Sequence, residues 1–284
     1  MKICLIASAA LLAAFGGSAI AADLPVKAPP PPVPVCIWCG FYAGLNAGYD
    51  WSNSNAYSSS ISNPPFFVDF AIGSNATIAA NRSNFLGGGQ VGYNWQLNRS
   101  VVAGIEADIQ GVANHSSVSG LKSIPDPAFP GSPLITQFSG SKSLDYLGTV
   151  RGRLGWLFTP NFLAYGTGGL AYGDAGLTVN WVQCRPGEGI GCPNVASASL
   201  RNIEVGWTAG VGAEWMFLSK WSAKLEYLWY DLGTLTTPAS ILVDHVQGNQ
   251  LAFNRASTRF DGQIVRVGVN YNFNTGGAPL VAKY

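Results

Sequence analysis

Nine charged side chains of this 284-residue chain stand at alternate positions within otherwise apolar or glycine-rich segments. Alternation with a period of two places side chains on one face of a β-strand. If that face is enclosed, its charges must find partners, because an unpaired buried charge is costly. The set could form structural ion pairs, which we favour, or the selectivity filter of a pore. Its members are Glu106, Asp108, Arg151, Arg153, Glu204, Glu214, Lys224, Glu226 and Arg266.

Catalytic chemistry has weaker support. A serine-type hydrolase or acyltransferase needs a nucleophile, a base and an orienting carboxylate that are held together. The two histidines are His115, which precedes two serines, and His245, which follows Asp244. Both lie in long polar segments, and neighbours in sequence are not a positioned triad, so we predict no enzyme. Residues 166–171 loosely match a dinucleotide-binding pattern but no helix follows, so we predict no cofactor and no metal.

The elements that would position the nine charges are strands of roughly 9–11 residues, the length of a tilted membrane-spanning strand. Residues 203–215 alternate apolar side chains with polar ones and glycine most clearly, and residues 262–273 end the series with the same pattern. Apolar faces suit lipid and polar faces suit a lumen, whereas a soluble barrel should show the reverse. Because a membrane does not tolerate an open sheet edge, these strands predict a closed set.

The predicted fold class is all-β, an eight-stranded antiparallel up-and-down transmembrane β-barrel with four long outer loops. Short turns are typical of the periplasmic side of bacterial barrels and long loops of the outer side. Both chain ends are then periplasmic. Glycines leave the facing of residues 162–173 ambiguous. The short turns lie near 98–100, 159–161 and 218–220, and the long polar segments lie near 52–82, 112–143, 174–200 and 233–260.

Four cysteines follow the N-terminal segment: Cys36, Cys39, Cys184 and Cys192. Their spacing suggests two local disulfides in a compartment that permits them. The first pair also has the spacing of a redox motif, but it follows a proline tract and precedes a strand rather than opening a helix. We therefore favour a structural disulfide there and a small disulfide ring in a polar loop for the second pair. A cysteine-only metal site is the weaker alternative.

The N-terminus predicts the compartment. Lys2, an apolar run over residues 3–15 and small residues up to Ala21 indicate a secretory signal peptide. We divide the chain into a signal peptide at 1–21, a proline-rich periplasmic lead-in at 22–39, the barrel at 40–273 and a short tail at 274–284.

Composition supports membrane strands and excludes nucleic-acid binding. Charged residues make up only 11% of the chain and its mean hydropathy is +0.18, yet no apolar run after the signal approaches the roughly 20 residues of a membrane helix. Of 16 basic residues, removal of Lys2 leaves 15, which balance the 15 acidic ones. We therefore predict no nucleic-acid partner.

Several stretches resemble the outer-membrane immunogenic protein group, small porin-family barrels related to the OmpA transmembrane domain. They are Trp38–Tyr49, Val150–Trp156, Tyr165–Gly173 and Val267–Phe273. The resemblance implies an eight-stranded barrel in the cell outer membrane, an abundant structural or surface role and, in some members, pore activity. Cys39 departs from the usual Thr or Ser. The chain also continues past Phe273 to Tyr284, which we expect to be the terminal aromatic residue that the assembly machinery reads.

These observations predict an outer-membrane β-barrel with a mainly structural or surface role in the cell envelope. The alternatives are a narrow porin-like channel for small solutes or ions and an adhesion or receptor protein that acts through its long loops. The expected partners are outer-membrane lipids and the outer-membrane assembly machinery. Contacts with peptidoglycan or a host surface are left open.

Overall fold

The computed structural model describes residues 36–62, 67–113, 115–125, 131–185, 193–245 and 247–273. The predicted signal peptide, nearly all of the lead-in, and the tail with Tyr284 lie outside these ranges. Within them the chain forms twelve strands and one short helix. They are β1 (Gly40–Ser52), β2 (Asn55–Ser62), α1 (Val68–Ser74), β3 (Ala76–Ala79), β4 (Arg82–Gln96), β5 (Val101–Ala113), β6 (His115–Ile124), β7 (Leu134–Thr159), β8 (Phe162–Cys184), β9 (Asn194–Leu218), β10 (Trp221–Thr236), β11 (Ser240–Val243) and β12 (Gln250–Asn272).

Eight of the strands form a closed antiparallel ring, which we call the ring. Its order is β1-β4-β5-β7-β8-β9-β10-β12, and β12 pairs back onto β1, for example Val269 with Leu45. Closure gives each of these strands a neighbour on both sides, so the ring has no open edge. In the described part of the chain, no helix is both long and apolar enough to span a membrane.

The two faces of the ring differ as the alternation predicts. Leu45 is 73% exposed on the outside, whereas its neighbour Asn46 is 6% exposed on the inside. The structure also settles β8, whose facing the glycines had left ambiguous. Leu163 and Tyr165 are buried inside the ring, and Leu170 is exposed outside.

Aromatic side chains form two belts on the outer face. Near the short turns, Phe41 packs edge-on against Tyr93, with ring centroids 4.7 Å apart. At the other end, Trp207 meets Trp229 at 4.4 Å, and Trp51 packs near Tyr227. Phe41 and Trp51 are separated by about 33 Å of strand. With the usual tilt this corresponds to about 25 Å across the membrane, the height of the apolar band of outer-membrane barrels.

The segments expected to be long loops are instead largely strand. Beyond the second aromatic belt, β7, β8, β9 and β12 continue, and β2, β3, β6 and β11 pair beside them in the order β3-β2-β12-β11-β9-β8-β7-β6. We call this assembly, with α1, the upper tier; it includes residues 134–144, 175–184, 194–202 and 250–260 of the long strands. Its outward positions are rich in serine, and this made the segments resemble polar loops in the sequence.

A β-bulge marks the change from ring to upper tier on β7. The register with β8 shifts between Leu144 and Leu147, so the inward-facing positions change parity there. Leu144 and Phe138 are buried above the shift, and Arg151 is buried below it. A single period-two pattern therefore cannot describe the whole 26-residue strand.

The interior of the upper tier is an apolar core that includes α1. Phe138, Trp181 and Phe260 are fully buried in it. The polar groups of α1 are satisfied by the surrounding strands: Gln183 Nε2 donates to Phe70 O and to Ser74 Oγ, both at 2.9 Å. Ser58 Oγ donates to Ser74 O at 2.6 Å. Seven residues of helix are thus held inside a sheet by side-chain hydrogen bonds as well as by packing.

Candidate functional site inside the ring

An apolar cluster packs inside the ring at the end with the short turns. Trp38, just before β1, packs with Val102, Leu157, Leu163 and Met216. Its indole Nε1 donates to the carbonyl oxygen of Pro160 at 2.9 Å, across the ring from β1.

A disulfide between Cys36 and Cys39, the first of the two expected pairs, closes the segment that carries Trp38. Gly40 follows with a φ of 108°, a conformation that side-chain-bearing residues rarely adopt. Cys184 ends β8, at the opposite end of the molecule, and Cys192 lies outside the described residues, so that pairing stays a prediction.

Above this cluster, charged side chains cross-brace the interior of the ring. Eight of the nine predicted residues meet there, and each is between 1% and 5% exposed. The four cations and four carboxylates cancel, so the buried column carries no net charge. We call this set the charge network: Glu106, Asp108, Arg151, Arg153, Glu214, Lys224, Glu226 and Arg266.

The ion pairs of the charge network reach across the lumen. Lys224 on β10 donates to both carboxylate oxygens of Glu106 on β5, at 2.9 Å each, and β5 and β10 are on opposite sides of the ring. Arg151 pairs with Glu106 and, at 2.9 Å, with Asp108. Arg151 and these two carboxylates lie on neighbouring strands, whereas the short, charge-assisted contacts of Lys224 with Glu106 hold facing walls together.

Arg153 belongs to the same network near the end with the short turns. Its Nη1 lies 3.0 Å from Glu214, and its guanidinium stacks over the rings of Tyr42 and Tyr165, at 4.9 and 5.0 Å. The two hydroxyls donate in turn to the network carboxylates, Tyr42 to Glu106 at 2.7 Å and Tyr165 to Glu226 at 2.8 Å. The alternating pattern predicts the inward facing of Tyr42 on β1, but it predicts no role for either tyrosine.

Glu204 is the predicted residue that the structure does not bring into the network. It shares the inward parity of Glu214 on β9 but is only half-buried, and it accepts a hydrogen bond from Asn202 at 3.0 Å. Its neighbour across to β8 is Gly173. Ten residues of strand separate Glu204 from Glu214. Glu204 therefore lies nearer to the upper tier than to the charge network.

A second polar group, missed in the sequence, lies between the charge network and the upper tier. Arg82 pairs with Asp50 at 2.7 Å, and Tyr230 donates to Asp50 at 2.9 Å. Arg82 and Lys142 both fell within segments expected to be loops. The alternation of β1 places Asp50 on the inner face, and this is the one feature of the sequence that indicates a buried polar group here.

Lys142 is buried in the upper tier close to this group. Its Nζ donates to Arg259 O at 2.7 Å and lies 4.7 Å from the ring centroid of Phe260. Burial, with the Arg82 charge nearby, lowers the pKa of Lys142 to about 7, although Asp261 and Asp50 oppose that shift.

The apolar core of the upper tier extends down into the ring. Leu86, Leu147, Leu228 and Ile264 face inward from four ring strands and belong to the same packed cluster as Phe138 and Trp181. The interior therefore passes from an apolar cluster at Trp38 to the charge network and then to apolar side chains again. The Asp50–Arg82 pair shares this second apolar layer, because Asp50 is the register partner of Ile264.

His245, one of the two candidate catalytic residues, does not meet the charge network. His245 is exposed in the turn after β11, and His115 begins β6, with its side chain outside the described part. Within the described ranges, no group of three or more His, Cys, Asp or Glu side chains could hold a metal ion.

Sequence comparisons with known proteins agree on the kind of protein. A family model described as outer membrane protein beta-barrel domain matches residues 7–273. The 31 kDa outer-membrane immunogenic protein of Brucella melitensis is 34% identical over 277 residues, which cover 96% of this chain and 100% of that protein. A 25 kDa outer-membrane immunogenic protein of Brucella abortus is 26% identical over 96% of this chain and 99% of its own length. The solved structure of OprG from Pseudomonas aeruginosa aligns with a TM-score of 0.43 and 11% identity, over 84% of this chain and 97% of OprG.

Proposed function

We propose, from the premise that this chain belongs to the outer membrane protein β-barrel domain family, that it is a closed, non-conducting barrel with a structural role in the cell envelope. Its relatives are outer-membrane proteins, and so is this chain. In this role the ring spans the membrane and carries the upper tier as a folded surface outside the cell. We propose no catalytic activity for the chain.

The charge network is the observation that carries this proposal. An ion that crossed the ring would have to separate pairs such as Lys224 with Glu106 or Arg153 with Glu214, which are nearly inaccessible to solvent. Breaking a buried pair by removing one partner costs roughly 3–5 kcal/mol. Apolar side chains also pack on both sides of the network, at Trp38 and around Ile264.

The proposed orientation has the short turns in the periplasm and the upper tier outside. Short turns on the periplasmic side are the rule for bacterial barrels. Phe273 donates a backbone hydrogen bond to Phe41 O at 2.8 Å at the end with the turns, so both ends of the described chain lie on that side. The aromatic belts then mark the two membrane interfaces.

A narrow channel is the second candidate, and one observation favours it. Arg266 Nη1 and Asn46 Oδ1 are buried without a hydrogen-bond partner among the described residues. Buried polar atoms of this kind are commonly satisfied by ordered water. Water beside the charge network could support conduction if the ion pairs exchanged partners.

Planar-bilayer recording of refolded protein distinguishes the two candidates. A heat-modifiability gel first establishes that the barrel has formed. We expect no unitary conductance from the native chain. Glu214→Ala removes the nearest carboxylate from Arg153 and should introduce small, anion-favouring steps, whereas Asp174→Ala, which changes a partly exposed ion pair in the upper part of β8, should stay silent. Reproducible steps from the native barrel, changed in size by Glu214→Ala, would establish the channel instead.

A further inference from the structure

The lipid-facing side of the ring carries an apolar groove of about 540 Å³ that runs along β8. Ala164 and Gly166 form its floor, with the backbone of the residues beside them. Its walls are the larger side chains of the two neighbouring strands. They include Leu154, Trp156 and Phe158 on β7 and Val211 on β9.

The groove exists because small residues on β8 stand directly between larger residues on β7 and β9. Gly166 pairs with Leu154 on one side and with Val211 on the other, and these two side chains are 62% and 61% exposed. A Cβ atom added to Gly166 would meet no described atom within 4 Å. Both walls therefore rise above an open floor.

The surroundings limit what can fill the groove. Of the described residues that line it, none is charged, and its wall residues belong to the same outward face as the aromatic belts. Water is absent at this depth in a bilayer. Hydrocarbon must then occupy the groove, and close van der Waals packing rather than a hydrophobic driving force decides how firmly it is held.

The length and position of the groove select the source of this hydrocarbon. From Leu154 to Phe158 the wall on β7 runs for about 13 Å along the strand, and with the usual tilt this is about a third of the roughly 30 Å hydrocarbon core, so the groove lies within one leaflet. Phe158 lies at the end next to the turn at Pro160 and Asn161. In the orientation proposed above, that end is periplasmic, so the groove opens to the periplasmic leaflet.

We propose that this groove is a binding site for one acyl chain of a phospholipid in the periplasmic leaflet. The inference rests on the proposed orientation, but not on whether the ring conducts. Trp156 stands at the height where its amphipathic indole would meet the glycerol region of that lipid.

Native mass spectrometry of protein extracted from membranes in a mild detergent tests the proposal. The native chain should retain one phospholipid per chain. Gly166→Leu fills the floor and should lower that retention about tenfold at equal detergent concentration. Gly87→Leu is the matched control, because Gly87 faces lipid on β4 and an added Cβ has only Asn46 O nearby, at 3.6 Å. Heat modifiability must be unchanged in both variants.

Several other outcomes would overturn the proposal in a recognisable way. Equal retention by the native chain and Gly166→Leu, or no retained phospholipid, would show that the groove binds no particular lipid. Retention of lipopolysaccharide instead would place the groove in the outer leaflet and reverse the proposed orientation. A cross-linked dimer that Gly166→Leu abolishes would identify a second copy as the occupant. If the native chain conducted ions and still retained phospholipid, the closed barrel would be contradicted but the lipid site would not.

Discussion

Arg151 on β7 and Arg266 on β12 each donate a hydrogen bond to the same atom, Oδ2 of Asp108, at 2.9 Å. β7 and β12 are on opposite sides of the ring. One carboxylate on β5 therefore joins walls that share no backbone hydrogen bonds. The two guanidiniums tolerate this proximity because Glu106 and Glu226 also pair with them.

Neutralising this shared carboxylate should destabilise the ring. Asp108→Asn keeps the shape of the side chain but leaves two buried cations with one negative charge fewer. We expect a loss of roughly 3–5 kcal/mol in unfolding free energy, measured as a lower urea midpoint of the heat-modifiable form.

The matched control for this prediction is Asp174→Asn. Asp174 pairs with Arg201 at 2.8 Å, but the Arg201 side chain is 55% exposed, so at most about 1 kcal/mol should be lost. The double variant Asp108→Asn with Arg266→Gln should lose less than the sum of its single changes, since the two side chains interact directly. Additive losses would show that the two groups are not coupled.

Lys142 should make stability depend on pH in the alkaline range. Its pKa of about 7 in the folded chain lies below the ordinary 10.5, so between these values the unfolded chain binds a proton that the folded chain does not. Stability should then rise as pH increases from about 7 towards 10.5. Below pH 7 lysine is charged in both states and the full cost of burying that charge remains. Unfolding of the purified protein in urea at pH 6, 8 and 9.5 measures this.

Two substitutions separate that titration from other effects. Lys142→Met should remove the dependence and raise stability at pH 6, because no charge is buried. Lys142→Arg should also remove it but keep the low stability, because arginine stays charged throughout. If the stability of both variants still rose between pH 7 and 9.5 as in the native chain, another group would be responsible for the titration.

Reduction of the Cys36–Cys39 disulfide should release Trp38. A disulfide that closes so short a loop stabilises the closed form by about 2 kcal/mol in the chain-entropy model. We expect acrylamide to quench Trp38 more strongly after reduction, measured as the difference between the native chain and Trp38→Phe. Cys36→Ser with Cys39→Ser should show the same quenching without reductant. Alkylation must first verify that both thiols are reduced. If acrylamide then quenches Trp38 no more strongly than before, the prediction is contradicted.

The hydrogen bonds of Gln183 should hold α1 within the upper tier. Gln183→Leu leaves Phe70 O without its donor and removes the contacts to Ser74 and Thr136, which should cost about 1–3 kcal/mol locally. Hydrogen exchange of residues 67–74 should accelerate accordingly. Gln137→Leu is the control, because Gln137 is exposed on β7. Equal exchange in the two variants would mean that packing alone retains the helix.

Local alternation predicted the faces of the ring strands well where side chains differ strongly in polarity. Leu45 and Asn46, or Ile105 and Glu106, lie on the faces that the pattern indicates, because adjacent side chains in a strand point to opposite sides. The outer-membrane family and location, inferred from the resemblance, are confirmed. The glycines of β8 carried no such signal, and its facing needed the neighbouring strands.

Only the tertiary structure revealed the upper tier and the partners of the charges. Residues such as Ser139 and Ser141 face outward beside the buried Phe138, and this polarity is reversed relative to the lipid-facing ring. A bulge on β7 then shifts the parity between the two regions. Arg82 and Lys142 were therefore attributed to loops.

In the ring strands with clear alternation, the amino-acid sequence by itself determined which side chains turn inward, since the strand period alone decides this there. It could not determine that Lys224 reaches Glu106, 118 residues away, or that Glu204 stays outside the network. Such pairs depend on how far each strand is staggered around a closed ring, and closure is a property of all eight strands together.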